Sequence, residues 1–72
     1  MKTIALYMYM CSAVAQQCMP PVQVAVLSNF YDCMVRGYSE SNRKTLEIGK
    51  EEINEHQIYM KFQCEEIKGM ES

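Results

Sequence analysis

Residues 58–67 carry the pattern that most constrains the fold of this chain. Apolar side chains occupy every second position there, and polar or amphipathic side chains lie between them. A period of two is typical of an extended strand with one side towards a core and one side towards water. The pattern therefore predicts a C-terminal strand over residues 57–67. Its inward side chains would be Ile58, Met60, Phe62 and Cys64.

The first fifteen residues allow two interpretations. Alternation along residues 3–12 predicts a strand that is apolar on both faces, as expected of a central strand covered on both sides. The segment also fits a secretory signal peptide, because Lys2 precedes an apolar run and residues 13–15 read as an A-x-A cleavage site. We favour a retained strand, because tyrosine is common in strands and costly within a signal core. The run is too short for a transmembrane helix, which needs about 20 apolar residues.

Prolines and a helix-capping residue organise the middle of the chain. The consecutive Pro20 and Pro21 exclude a helix and predict a loop over residues 16–21. Residues 22–27 are apolar and β-branched, which fits either a short strand or an extended lead into a helix. Ser28 or Asn29 would cap that helix.

The predicted helix ends at Ile48, before Gly49. Glycine costs about 1 kcal/mol against alanine inside a helix, so Gly37 calls for a packing reason. We predict that the helix lies close across the sheet at Gly37, with Phe30 and Met34 filling the space at one end. The small residues on the same face are Gly37, Ser41 and Thr45.

The opposite face of the helix carries charges of alternating sign at four-residue spacing. Such pairs are typical of a solvent-facing ladder rather than a binding site. Residues 50–57 are polar and predict a turn or a short second helix, and residues 68–72 predict a frayed tail. The charged ladder consists of Asp32, Arg36, Glu40 and Lys44.

Four cysteines in 72 residues predict covalent stabilisation of a small core. They allow three connectivities. Cys18 in the loop could pair with Cys33 in the first turns of the helix, and Cys11 would then face Cys64 if the outer strands were parallel neighbours. We expect at least one bridge; the alternative is four reduced thiols that act as small apolar groups.

The sequence contains no recognisable catalytic or ligand-binding constellation. The only histidine, His56, lies in a polar linker with no nucleophile beside it, and no C-x-x-C spacing occurs. The glycines are isolated, and the acidic clusters lack the spacing of a calcium loop. A net charge of −2 without a basic patch gives no support to nucleic-acid binding. We therefore expect no enzymatic activity, no cofactor and no metal site.

Several short motifs along the chain carry a resemblance to one group of proteins. They are Met-Lys-Thr at the start, Cys11-Ser12-Ala13, Cys18-Met19-Pro20-Pro21, Tyr31-Asp32-Cys33 followed by Gly37-Tyr38, and Phe62-Gln63-Cys64. In this layout the chain resembles small uncharacterised proteins encoded by marine bacteriophages. The resemblance implies a phage origin and a structural role for the cysteines. It implies no established activity.

Together these patterns predict a single α/β domain, with a two- or three-stranded sheet packed against one long helix. If residues 22–27 do not pair, the outer strands should be parallel with a right-handed crossover. If they do pair, the outer strands can run antiparallel. So small a sheet leaves open edges and an uncovered apolar face, so we expect a homo-oligomer or a partner protein.

Three functional hypotheses follow. The leading one is a non-enzymatic interaction module that binds a host or virion protein through the face or edge of its sheet. The second is a thiol-active or redox protein that uses Cys18 and Cys33. The third is a secreted peptide of residues 16–72, processed after Ala15. The localisation is open between virion and host cell, with an oxidising compartment if the N-terminus acts as a signal. The expected contact residues of the leading hypothesis are Tyr7, Tyr9, Tyr59, Met8 and Met10.

Overall fold

A computed structural model describes residues 3–67 and has the predicted α/β class. An open antiparallel sheet of four strands packs against a helix of 19 residues. The predicted tail at residues 68–72 lies outside the described residues. In chain order the elements are β1 (Ile4–Ser12), β2 (Gln17–Cys18), β3 (Val22–Leu27), α1 (Phe30–Ile48), α2 (Lys50–His56) and β4 (Ile58–Glu66).

β1 is the central strand of the sheet. It pairs with β4 along one edge over all nine residues, and with β2 and β3 along the other edge. The prediction of a strand over residues 3–12 is confirmed. The sheet has four strands where two or three were predicted, and the extra pairing is that of Gln17 and Cys18, placed in a loop by the sequence, with the end of β1.

Of the two predicted arrangements of the outer strands, the antiparallel one, expected if residues 22–27 pair, is confirmed. Residues 22–27 form β3 and pair antiparallel with β1. The chain then crosses β1 through α1 and α2 and returns as β4 on the other side, again antiparallel to β1. The two strands joined by the helical crossover are therefore β3 and β4, which run parallel to one another with β1 between them.

Both ends of α1 follow the predicted capping chemistry. Asn29 is the N-cap, and its side-chain oxygen accepts a hydrogen bond from the backbone N–H of Asp32 at 2.8 Å. Gly49 ends the helix with a φ of 99°, a conformation that glycine adopts without a steric penalty. Its N–H donates to the carbonyl of Thr45 at 3.2 Å, which satisfies one of the last free carbonyls of α1.

The core lies between α1 and one face of the sheet. The close approach predicted for Gly37 is confirmed: this residue is buried, and a methyl group added there would overlap the ring of Phe62. Phe30 does not fill the space as predicted, because it is the first residue of α1 and stays 57% exposed. The core cluster comprises Ile4, Leu6, Met8 and Cys33, with Ala25, Leu27, Met60, Phe62 and Cys64 packed against it.

Ser41 lies on the sheet-facing side of α1 and carries a hydroxyl group into the interior. Its hydroxyl oxygen is buried and has no hydrogen-bond partner within residues 3–67. A buried hydroxyl without a partner costs about 1–3 kcal/mol in lost hydration. The small residue thus permits close packing of α1 at the expense of an unsatisfied oxygen.

We expect the Ser41→Ala variant to be more stable than the native chain. Alanine removes the unpaired hydroxyl and has a better helix propensity, so the free energy of unfolding should rise by about 1–2 kcal/mol. Ser39→Ala is a matched control, because Ser39 is exposed and lies two residues away on the same helix. This variant gains only the stability that comes from the better helix propensity of alanine. Urea unfolding of both variants gives the comparison. Equal gains would show that the Ser41 hydroxyl is in contact with water.

Candidate interaction surface

The odd positions of β1 form the side of the sheet that faces away from α1. The strand register places Gln23 and Gln63 beside Tyr7, and Lys61 beside Tyr9. The residues that β1, β3 and β4 contribute to this side are hereafter called the open face. They are Ala5, Tyr7, Tyr9, Cys11, Gln23, Val26, Tyr59, Lys61, Gln63 and Glu65.

Tyrosines dominate the middle of the open face. Tyr7 and Tyr9 are half-buried along β1, and Tyr59 on β4 is 43% exposed. Tyr59 pairs with Cys11, two positions from Tyr9, so the two tyrosines are diagonal neighbours across adjacent strands. Side chains at such positions are within reach of one another when they are aromatic. The three tyrosines therefore occupy neighbouring positions on one face, bordered on β4 by polar side chains.

The structure brings together three of the five predicted contact residues. Tyr7, Tyr9 and Tyr59 share the open face, as the leading hypothesis requires. Met8 is wrong as a contact residue, because it is 5% exposed and belongs to the core beneath α1. Met10 is half-buried on the same helix-facing side, where it lines a groove.

The sequence interpretation missed Val26 as a member of the open face. Its side chain is 49% exposed and lies beside Ala5, which is fully buried. The available signal was the alternation of valines along residues 22–27, but a register shift at Val24 places Val22 beside the core residue Met8 and Val26 beside Ala5. That signal becomes informative only when the strand is known to pair with β1.

All four cysteines form disulfides, but the predicted pairing is wrong. The bridges are Cys11–Cys18 and Cys33–Cys64, and no free cysteine remains among residues 3–67. In the antiparallel register Cys64 lies opposite Leu6, five residues from Cys11 along β1. Five residues of strand span about 17 Å, far beyond the reach of a disulfide.

The observed bridges follow from the positions of the strands and of α1. Cys11 and Cys18 are directly opposite one another on β1 and β2, with their Cα atoms 4.0 Å apart. Cys33 is on the buried side of α1 above Cys64, with a Cα distance of 6.2 Å. Two disulfides are consistent with an oxidising or extracellular setting. Cys18 and Cys33 belong to different bridges, so they do not form the couple that the thiol hypothesis proposed.

A groove of about 770 Å³ opens between β3 and the C-terminal half of α1. Its floor and one wall are apolar and rich in methionine, a side chain that adapts to irregular surfaces. Its other wall is the charged side of α1. The apolar residues that line it include Met8, Met10, Met19, Val22, Ile48 and Met60.

Ion pairs on α1 organise the charged wall of this groove. Arg43 donates to Glu40 at 2.7 Å, and Arg36 donates to the same carboxylate at 3.3 Å. The hydrogen bond from Arg43 is the main reason that the pKa of Glu40 is lowered, and the same contact raises the pKa of Arg43. The predicted ladder is thus present at Arg36 and Glu40, whereas Lys44 pairs with Glu47 at 3.5 Å instead of with Glu40.

Among residues 3–67, neither α1 nor α2 has the length and apolar composition of a membrane-spanning helix. Within residues 3–67 no group of three histidine, cysteine, aspartate or glutamate side chains is arranged to hold a metal ion. His56 lies 3.6 Å from Glu52 on the exposed side of α2. Comparison with known proteins finds no matching family, no similar curated protein and no similar solved structure.

Proposed function

We propose that this chain is a non-enzymatic interaction module, stapled by two disulfides, that binds a partner protein through its open face. The observation that carries this proposal is that Tyr7, Tyr9 and Tyr59 occupy neighbouring positions on the side of the sheet away from α1. The resemblance to phage proteins makes a host or virion protein the expected partner. That origin stays a prediction.

Tyrosine is the side chain that best supports binding at such a surface. Its ring supplies a large contact area with few rotatable bonds, and its hydroxyl can hydrogen-bond across an interface. Tyrosine is accordingly enriched among the residues that carry most of the energy of protein–protein binding. The tyrosines are on paired strands and not in a loop, so little backbone entropy should be lost on binding.

The charges around the tyrosines favour a protein as the partner. Lys61 and Glu65 lie on the same strand at either side of Gln63, so the border of the open face carries both signs. The chain as a whole has a net charge of −2. A nucleic acid would instead require a positive surface that tracks its phosphates.

The processed-peptide alternative conflicts with the position of β1. Cleavage after Ala15 would remove the strand that pairs with every other strand of the sheet. It would also remove Cys11 and four of the other buried core residues. A peptide of residues 16–72 would therefore not keep this fold.

We expect the open face to form covalent links with its partner when a photoreactive amino acid replaces Tyr59. The full-length oxidised chain carrying this replacement is illuminated in an extract of its native source, and the cross-linked product is identified by mass spectrometry. Tyr31 is the matched control position, because it is 75% exposed on α1. Products that form equally at both positions would contradict the proposal.

The affinity for the captured protein then provides the quantitative test. Truncation of interface tyrosines to alanine costs about 2 kcal/mol or more, so the Tyr9→Ala, Tyr59→Ala variant should bind about 30-fold more weakly. Tyr31→Ala should leave the dissociation constant unchanged. Calorimetric titration of the purified pair measures both. An unchanged affinity in the double variant would exclude the open face as the binding surface.

A further inference from the structure

We infer that two copies of this chain pair through the outer edge of β3, strand against strand and antiparallel. β3 lies at the end of the sheet, and its far side pairs with no strand within residues 3–67. An edge of this kind presents unpaired peptide groups that can accept another strand. The inference goes beyond the proposed function, because it uses the edge of the sheet and leaves the tyrosines free.

Hydrogen bonds at the ends of β1 show which peptide groups of β3 face outwards. The N–H of Ile67 donates to the carbonyl of Thr3, which assigns the odd positions of β1 to the β4 side. In an antiparallel sheet the even positions then bond towards β3, where Leu27 and Ala25 are partners of β1. Val26 lies between those two partners, so its N–H and carbonyl point to the outer edge.

The composition of β3 favours a second copy as the occupant of this edge. Its six residues carry no charge, so no register of β3 against β3 brings like charges together. Its valines are β-branched, and such side chains pair well across neighbouring strands. The outer edge of β4 is different, because its strand carries Lys61, Glu65 and Glu66. Charged side chains of this kind protect an edge from further pairing.

The length of the free edge also fits β3 itself. Pro21 has no N–H and ends the run of donors on one side, and the cap of α1 at Asn29 ends the strand on the other. A strand longer than about six residues would therefore gain no further hydrogen bonds. β3 of a second copy matches this span of six residues, with the register shift at Val24 present in both copies.

Two-fold symmetry determines the shape of the pair. Antiparallel pairing within one continuous sheet requires a two-fold axis perpendicular to the sheet. Both copies of α1 then lie on one side, and both open faces lie on the other. Each copy uses its β3 edge once, so the assembly closes as a dimer and does not extend into a filament.

The test is the mass of the oxidised, full-length chain in solution, measured by sedimentation velocity over a range of concentrations. We expect a species of twice 8.4 kDa. Val26→Lys places a charged side chain on the edge strand of each copy, which should hinder strand pairing and raise the dissociation constant of the dimer about tenfold or more. Gln63→Lys is the matched control, because it adds the same charge to the same face at the opposite edge and should leave the dimer intact. Far-UV circular dichroism verifies that both variants are folded.

Amide hydrogen exchange supplies a second readout that locates the seam. We expect the Val26 amide to exchange slowly in concentrated solution and rapidly on dilution, whereas the inward amide of Ala25 is protected at both concentrations. A monomer at every concentration, or equal weakening by Val26→Lys and Gln63→Lys, would overturn the inference. A dimer weakened only by Tyr9→Ala, Tyr59→Ala would also overturn it, because the copies would then meet face to face. Binding to the partner protein of the proposed function is measured separately, by the affinity of the Tyr9→Ala, Tyr59→Ala variant.

Discussion

Replacing Cys33 and Cys64 together by alanine is expected to lower the free energy of unfolding by about 3.7 kcal/mol at 25 °C. The bridge joins residues separated by 31 positions, and closing a loop of that length restricts the unfolded chain by about this amount. A domain of this size has a total stability on the order of 4–11 kcal/mol. Urea unfolding of the double variant, compared with the native oxidised chain, measures the loss.

The other disulfide provides the control for this prediction. Cys11–Cys18 spans seven positions, so its removal should cost only about 2.4 kcal/mol through the same effect. It joins neighbouring strands at one end of the sheet, whereas Cys33–Cys64 ties α1 to β4 across the core. Equal losses for the two double variants would contradict a loop-length origin of the stabilisation.

Local sequence signals predicted most of the individual elements. The alternation in residues 3–12 and 58–67 reports a side chain's direction relative to its neighbours, so it is visible without knowledge of the fold. The cap at Asn29 and the stop at Gly49 are likewise local, because each satisfies backbone groups within one turn. Gly37 was informative because a glycine inside a helix needs a compensating contact.

The order and direction of the strands were not encoded in any such signal. Whether residues 22–27 pair with β1 depends on long-range contacts, and that pairing decides where the chain enters α1 and how β4 returns. The disulfide connectivity could not be predicted for the same reason, because it depends on the direction of β4. With β4 antiparallel to β1, Cys64 lies near the start of β1, and Cys11 is left for Cys18.

The candidate contact residues lie on both faces of the sheet, and which face is exposed also depends on how the strands are arranged. Both faces of β1 are apolar, so alternation alone separates Tyr7 and Tyr9 from Met8 without showing which set α1 covers. The choice is made by β4, where Phe62 and Cys64 face α1 and so place Met8 in the core. Tyrosines on the far side are left as the surface available for binding.

Gly37→Val is expected to lower the free energy of unfolding by about 3 kcal/mol, although valine has a better helix propensity than glycine. The first carbon added at Gly37 already overlaps the ring of Phe62, and a branched side chain adds two more carbons in the same space. The ring cannot move freely aside, because Tyr38 meets it edge-on with centroids 4.9 Å apart. Helix and sheet must therefore separate. Ser39→Val, at an exposed site of α1, is the control and should change the stability by less than about 1 kcal/mol.

A double-mutant cycle with Phe62→Ala identifies the contact responsible. Phe62→Ala should itself cost about 3 kcal/mol or more, because it leaves a cavity beneath α1. In that background the added valine enters the vacated space, so Gly37→Val should become neutral or stabilising, with a coupling of at least about 2 kcal/mol. Thermal and urea unfolding of the four proteins gives the cycle. If Gly37→Val were equally damaging with and without the ring, the loss would arise within α1 itself, and the close approach of α1 to β4 would not be what requires a glycine.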